Sequence, residues 1–427
     1  MREMKDSGVE WIGKIPKEWH ITQTRRLFRN EKNIVGDAAD EYERLALTLK
    51  GVIKRSKNDS EGLQPEKFEG YQILRQNELV FKMIDLENVN TSRVGLSPYT
   101  GLVSPAYIVL KNDSDDNRYE YYWFMSMYYN EVFNHLGGDG VRSALNVKDM
   151  LSLPIPNIPK IQKKMLADYL DAKCSKIDEI IEKQQAIIEK LKEYKLSIIT
   201  EGVTKGLKHN VKMKDSGVRF VDTIPYDWEN RKMITILSTR VVDGPHESPE
   251  LYDTGIPYIS ATAIVNGKID FSLMRGYISK EYCEICDKRY SPQRGDLLVV
   301  KLGASTGQVA IVDTDERFNI WVPLAAVRCN DEALPKFVYY VFQSDYFVRQ
   351  MELSWTFGTQ QTLGVQTIEK LRILLPPIAE QREIVKFLDT IYDNVGSKIE
   401  NVEKMIEKLE EYKKSLIYEV VTGKKEV

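Results

Sequence analysis

The sequence predicts an α/β protein: two homologous α/β modules joined by two long helices that form an antiparallel intramolecular coiled coil, with pseudo-two-fold symmetry. Three observations predict it. The chain is a tandem repeat, each repeat ends in a long Glu/Lys/Ile/Leu-rich segment with a heptad seam, and the rest of each repeat alternates short β-rich stretches with polar turns.

The repeat comes first because it organises the rest. Met4-Lys-Asp-Ser-Gly-Val9 recurs as Met213-Lys-Asp-Ser-Gly-Val218, and Ile15-Pro-Lys-Glu-Trp19 as Ile224-Pro-Tyr-Asp-Trp228, both 209 residues on. Later matches, Phe124-Met-Ser126 with Phe342-Gln-Ser344 and Glu193-Tyr-Lys195 with Glu411-Tyr-Lys413, are 218 residues apart. Asn77-Glu-Leu-Val80 already pairs with Gly295-Asp-Leu-Leu298 at the longer offset, so the insertion in the second copy falls opposite residues 20–76. The expected division is a module at 1–155, a helix segment at 156–208, a second module at 209–373 and a second helix segment at 374–427. The frame repeats while the interiors diverge, the arrangement expected of two related modules that bind two different things.

From Ile161 to Ile199 there is neither Gly nor Pro. Starting a heptad at Leu170 gives one apolar column through Leu170, Ile177 and Leu191. A second, three residues on, runs through Ile180, Ile187 and Tyr194. The later copy gives Leu388, Val395, Val402 and Leu409 with Met405 and Tyr412. Pro154, Pro156 and Pro159 precede the first helix and Pro376 and Pro377 the second, while Gly202, Gly206 and Gly423 mark the ends. The shared register favours pairing within the chain; the same seams would also serve a homodimer.

In the modules, Glu78–Phe81, Asp296–Val300, Ala106–Leu110 and Leu324–Arg328 read as strands. Tyr119–Phe133 and Phe337–Met351 read as helices, with Tyr122, Met125 and Tyr129 in the core. The loops between them carry basic, amide and hydroxyl groups, the types that hold phosphates and read base edges. The candidate DNA-binding residues are Lys50, Lys54, Arg55, Lys57, Lys82, Arg93, Arg142 and Ser143 in the first copy. In the second they are His246, Lys301, Ser305, Thr306, Gln360 and Gln361. Arg142-Ser143 and Gln360-Gln361 occupy the same repeat position with different residues.

Bulk composition narrows the function classes. At 42% hydrophobic and 29% charged residues, a chain of 427 residues reads as a folded, soluble, multidomain protein. It has no apolar run of the roughly 20 residues that span a bilayer and no secretion signal at its start. Four cysteines point to reduced thiols and the cytoplasm. Cys283 and Cys286 form a C-x-x-C, but further metal ligands are scattered, and packed cysteines are the preferred reading. A net charge of −3 is unusual for a DNA binder, so its basic groups must cluster or a partner must supply part of the grip. No Asn/Asp-Pro-Pro-Tyr/Phe motif, glycine-rich strand–helix turn or P-loop is present, and Asp85 and Glu87 lack a third carboxylate at nuclease spacing. Catalytic and metal-binding residues are therefore not expected in this chain.

Several motifs, in order and twice over, resemble the specificity (S) subunits of type I restriction–modification systems. They are Lys5-Asp-Ser-Gly-Val-Glu-Trp-Ile-Gly13 with Ile15-Pro-Lys-Glu-Trp19; Asp243-Gly-Pro-His246 before Gly255-Ile-Pro-Tyr-Ile-Ser260; Arg294-Gly-Asp-Leu-Leu298 with Gly303 and Gly307; and Leu375-Pro-Pro-Ile-Ala-Glu-Gln-Arg382. The first copy departs at Pro159-Lys-Ile-Gln162, where the second has Pro377-Ile-Ala-Glu380. The resemblance implies two target-recognition domains that each read half of a bipartite double-stranded DNA site, with the helices fixing the spacer. It also implies two methyltransferase subunits as partners, restriction subunits as further ones, no membrane, and S-adenosylmethionine bound by the methyltransferases and not by this chain. The rival class is a scaffold whose repeated modules bind protein or sugar.

Overall fold

The computed structural model describes residues 2–57, 67–83, 93–136, 144–357 and 361–427. The chain divides into two compact units, Met1–Gln184 with Glu403–Val427, and Gln185–Val402. The long helices run Lys160–Lys205 and Ile378–Val421, so the unit boundaries cut each helix near its middle instead of falling at its start. The reason is packing: each unit closes its core with half of each helix.

In the first unit, a hairpin pairs Met4–Asp6 with Lys14–Pro16, and His20–Gln23 pairs antiparallel with Pro154–Asn157. A three-stranded antiparallel sheet orders Ile108–Leu110, Leu79–Phe81 and Val94–Leu96. A second sheet joins the hairpin Arg44–Thr48/Gly51–Arg55 to Gly101–Val103 and Gln72–Leu74. The second unit repeats the hairpin (Met213–Val218 with Val221–Pro225), the pair Glu229–Lys232 with Arg372–Leu375, and the central sheet Leu324–Val327, Leu297–Val300, Val309–Ile311, to which Val242–Asp243 adds an edge. Its other sheet is different: Gly276–Ile278, Ile256–Ile259 and Asn319–Ile320, the last pair parallel. The strands expected from sequence are present at Leu79–Phe81, Ile108–Leu110, Leu297–Val300 and Leu324–Val327.

The repeated words of the sequence are local structure. In each hairpin an aspartate turns the chain: Asp6 Oδ1 accepts from the Gly8 amide at 2.9 Å, and Asp215 Oδ1 from Gly217 at 2.7 Å. Both glycines are left-handed (φ +74° and +62°), which a Cβ would oppose. Trp19 and Trp228 are buried against the glycines that end the long helices, Gly423 and Gly206. In each unit a tyrosine ties the module to a long helix: Tyr122 Oη donates to Asp171 at 2.7 Å, Tyr340 Oη to Asp389 at 2.5 Å.

Two expectations need correction. Each expected module helix is two: Arg118–Tyr129 and Val132–Leu136, broken at the left-handed Glu131 (φ +55°), and Pro335–Gln343 and Asp345–Leu353, broken at Ser344. The helix seam keeps its first column but not its second. Leu170, Ile177, Leu388 and Val395 are buried, and Leu191, Val402 and Leu409 half-buried. Ile180, Ile187, Tyr194, Met405 and Tyr412 are exposed, at 38 to 53%. The second column lies one residue later, at Cys174, Ile181, Ile188 and Lys195, and at Tyr392, Ile399, Ile406 and Lys413. The doublets Ile180-Ile181 and Ile187-Ile188 made both choices apolar, and only packing selects one. Within the second unit the direction is antiparallel: Lys195 meets Tyr392, a Cβ at Gly202 would touch Leu388, and one at Gly206 would meet Glu380.

Candidate nucleic-acid interface

The second unit gathers several of the sequence-selected groups into one corner. Asp243 ends the edge strand and is 6% exposed. Its Oδ2 accepts from Lys301 Nζ at 3.1 Å and lies 3.2 Å from His246 Nε2, while Oδ1 binds the Arg289 guanidinium. Burial pushes this carboxyl up, but Lys301 first, then Arg289 and His246, hold it below the usual carboxylate range. A lysine, an arginine and a histidine thus share one carboxylate, a local cluster of basic groups on a protein whose net charge is negative. Lys301 is buried with Asp243, whereas the Arg289 and His246 side chains face solvent at 52% and 68%.

The backbone explains the glycines. A Cβ on Gly244 would sit 2.3 Å from the Ile320 carbonyl oxygen, so only glycine lets this strand end approach the neighbouring sheet. Gly303 and Gly307 turn the loop after Lys301 with φ of +94° and +96°. Thr306, buried, donates to the Gly303 carbonyl at 2.7 Å, and the Gly303 amide donates to the Gln361 carbonyl at 3.2 Å. The loop is thereby tied to Gln361, and half-buried Ser305 sits between its anchors. Beside it, the Arg275 guanidinium stacks on Trp321, 3.3 Å from the ring centroid, and Trp321 Nε1 donates to the Glu247 carbonyl.

The first unit is built otherwise. Lys50 is exposed at the tip of the hairpin, where Gly51 makes the turn with φ +89°. Lys54 and Arg55 follow on the outgoing strand; Lys54 pairs with Glu43 at 2.6 Å, and Lys57 donates to the Ala39 carbonyl at 2.7 Å. Lys82 leaves the central sheet half-buried. Arg93 is 2% exposed, donates to Asn134 Oδ1 at 3.3 Å and faces Tyr128, so its guanidinium is packed inside the unit. Lys301 and Thr306 are likewise buried, one on Asp243 and the other on the Gly303 carbonyl, and support their corner from within. Arg142, Ser143 and Gln360 lie outside the described residues.

Sequence reading missed Arg289 and Trp321. Arg289 ends the segment whose cysteines drew attention, and nothing local links it to Asp243, 46 residues away. Those cysteines are core: Cys283 and Cys286 are buried on the helix Lys280–Asp287, and burial pushes the Cys283 thiol up to about 11. Among the described residues no helix is long and apolar enough to cross a membrane.

Residues 225–411 match the family model for the type I restriction modification DNA specificity domain. The chain is 26% identical over 271 residues to the EcoBI specificity subunit of Escherichia coli, an alignment covering 61% of this chain and 56% of that protein, so it spans little more than half of that relative's length. It is 23% identical to the putative MjaX specificity subunit of Methanocaldococcus jannaschii over 97% of this chain and 95% of that one. A solved chain described under complex assembly and conformational transition of the type I R-M system shares the fold, with a TM-score of 0.67 at 14% identity, over 95% of this chain and 98% of that one.

Proposed function

We propose that the chain, similar to type I restriction–modification specificity subunits, is such a subunit and that each compact unit reads one half of a bipartite double-stranded DNA target. The observation that carries this reading is a frame kept in both units around an exchanged second sheet. The hairpin, the buried tryptophan, the central sheet and the tyrosine–aspartate tie are common, while the sheet beside the candidate contact loops differs in strand order. Two readers on one kind of support recognise two different half-sites. In the second unit Arg289 and His246 are the groups placed to meet phosphate or base edges, with Gln361 behind them. In the first unit Lys50, at its hairpin tip, takes that part.

The long helices set the unread spacer and dock two methyltransferase subunits, which supply the S-adenosylmethionine chemistry and part of the electrostatic hold on DNA; restriction subunits can join them. Exposed apolar side chains support docking: Ile180, Met405 and Tyr412 in the first unit, Ile187 and Tyr194 in the second, left over at heptad positions beside the filled seam. This division of labour fits a chain of net charge −3 working in the cytoplasm.

Co-expression with a type I methyltransferase subunit, followed by mapping of modified adenines, tests the reading. The expected result is one motif of two defined halves around a fixed gap, with exchange of residues 20–150 for those of a relative changing one half only. Methylation whose sequence preference is the same with and without this chain would overturn it.

A further inference from the structure

The seam position occupied by Cys174 in the first unit is Tyr392 in the second, 218 residues on. In the second unit the tyrosine fills its surroundings. Its hydroxyl donates to the Asn266 carbonyl at 3.0 Å and lies 3.4 Å from Tyr339 Oη, and Lys195 Nζ sits 3.2 Å from its ring centroid. In the first unit the smaller cysteine leaves a groove of about 540 Å³, walled by Tyr121, Tyr122 and Tyr129 and rimmed by the exposed carboxylates of Glu179 and Glu182. The lysine equivalent to Lys195, Lys413, lines the groove and is neutralised there by Asp178 at 2.7 Å. Position 178 has no acidic counterpart in the second unit, where it is Gly396, and Glu179 becomes Ser397.

Tyrosine faces beside carboxylates favour a cation and repel phosphate. At this seam position in the second unit a lysine of the chain itself lies on a tyrosine ring, that of Tyr392. Met405 and Tyr412, exposed in the same unit, offer an apolar surface of the kind a partner helix covers. We propose that the groove at Cys174 receives a lysine or arginine side chain presented by one methyltransferase subunit, and that the second unit, sealed by Tyr392, offers its partner no such socket. The two methyltransferase copies are therefore held unequally. This rests on the docking role given to the helices above.

The test uses the full-length chain and its methyltransferase subunit, with the two binding steps resolved by titration and native mass spectrometry. Cys174→Tyr plugs the groove as the second unit does, and Glu182→Lys reverses charge on its exposed rim without touching the core. Each is expected to weaken one binding step at least tenfold and leave the other within about twofold, with thermal melting unchanged for Glu182→Lys. If Cys174→Tyr fails to fold, Glu182→Lys decides alone. Two wild-type binding steps that both survive in the folded variants would overturn the groove while leaving the docking role intact. A wild-type chain that binds no methyltransferase would instead overturn the docking role, and the groove with it.

Discussion

At one point in the frame the two units have the same backbone and opposite chemistry. In the first, the Leu145 amide donates to the Met83 carbonyl at 3.1 Å; in the second, Leu363 donates to Lys301 at 2.9 Å, each pair 218 residues from its counterpart. Met83 is 1% exposed in an apolar core. Lys301 is nearly as buried, but it is held by Asp243 and through that carboxylate orders Arg289 and His246. The duplicated module keeps its hydrogen-bonded skeleton and exchanges what hangs from it. The same contrast recurs where the first copy departs from the helix-start motif. Gln381, fully buried, accepts from the Leu334 amide and donates to the Glu332 and Pro376 carbonyls, while its equivalent, Lys163, instead pairs with buried Glu120 at 2.6 Å.

Breaking the first contrast from the apolar side should cost most. Met83→Lys forces an ammonium into an apolar site and is expected to destabilise the protein by about 3–5 kcal/mol, read from urea melts. An effect below about 1 kcal/mol would mean that the first unit has a latent ionic site like the second. The converse, Lys301→Met, strips Asp243 of its buried partner but leaves Arg289 and His246; about 3 kcal/mol is expected. The loss should be recovered in good part by adding Asp243→Asn, which removes the stranded charge.

The same carboxylate contributes to the acid limb of the second unit. The folded value of Asp243 lies below the ordinary one, so its contribution is fully present above the unfolded value of about 3.9 and is lost as pH falls through the lower folded value. Asp243→Asn should flatten that part of the stability–pH curve; an unchanged curve would show that the cations do not hold the carboxyl down in solution.

Smaller effects test what the units share. Gly423 and Gly206 are both left-handed, but a Cβ on Gly423 would come within 2.5 Å of Pro16, whereas at Gly206 the nearest atom, at 2.8 Å, is the flexible end of Glu380. Alanine should therefore cost about 2 kcal/mol at 423 and about 1 kcal/mol at 206, measured by the same melts. Tyr122→Phe and Tyr340→Phe should each cost about 1–2 kcal/mol, and by similar amounts, because each removes one tyrosine–aspartate hydrogen bond between module and helix. A large inequality there would mean that the tie to the helix is not a common feature of the frame.

Much of this was legible along the chain. The repeated Lys-Asp-Ser-Gly and Ile-Pro-x-x-Trp are short-range structure, an aspartate turn and a buried ring, so their recurrence announced two copies of one frame. The proline- and glycine-bounded helices followed from local propensity, and the core role of Tyr122 and Met125 from spacing. By itself the sequence determined the duplication, the α/β modules, the helices and one column of their seam, because periodicity and turn chemistry act between neighbours in sequence. Tertiary structure alone decided which isoleucine of each doublet faces the partner helix, and that Arg93, Lys301 and Thr306 are internal supports. It also brought Arg289 to Asp243 and let Cys174 leave open what Tyr392 fills. Each of these depends on groups far apart in the chain competing for one volume or one charge, and such a competition is settled only when the chain is packed.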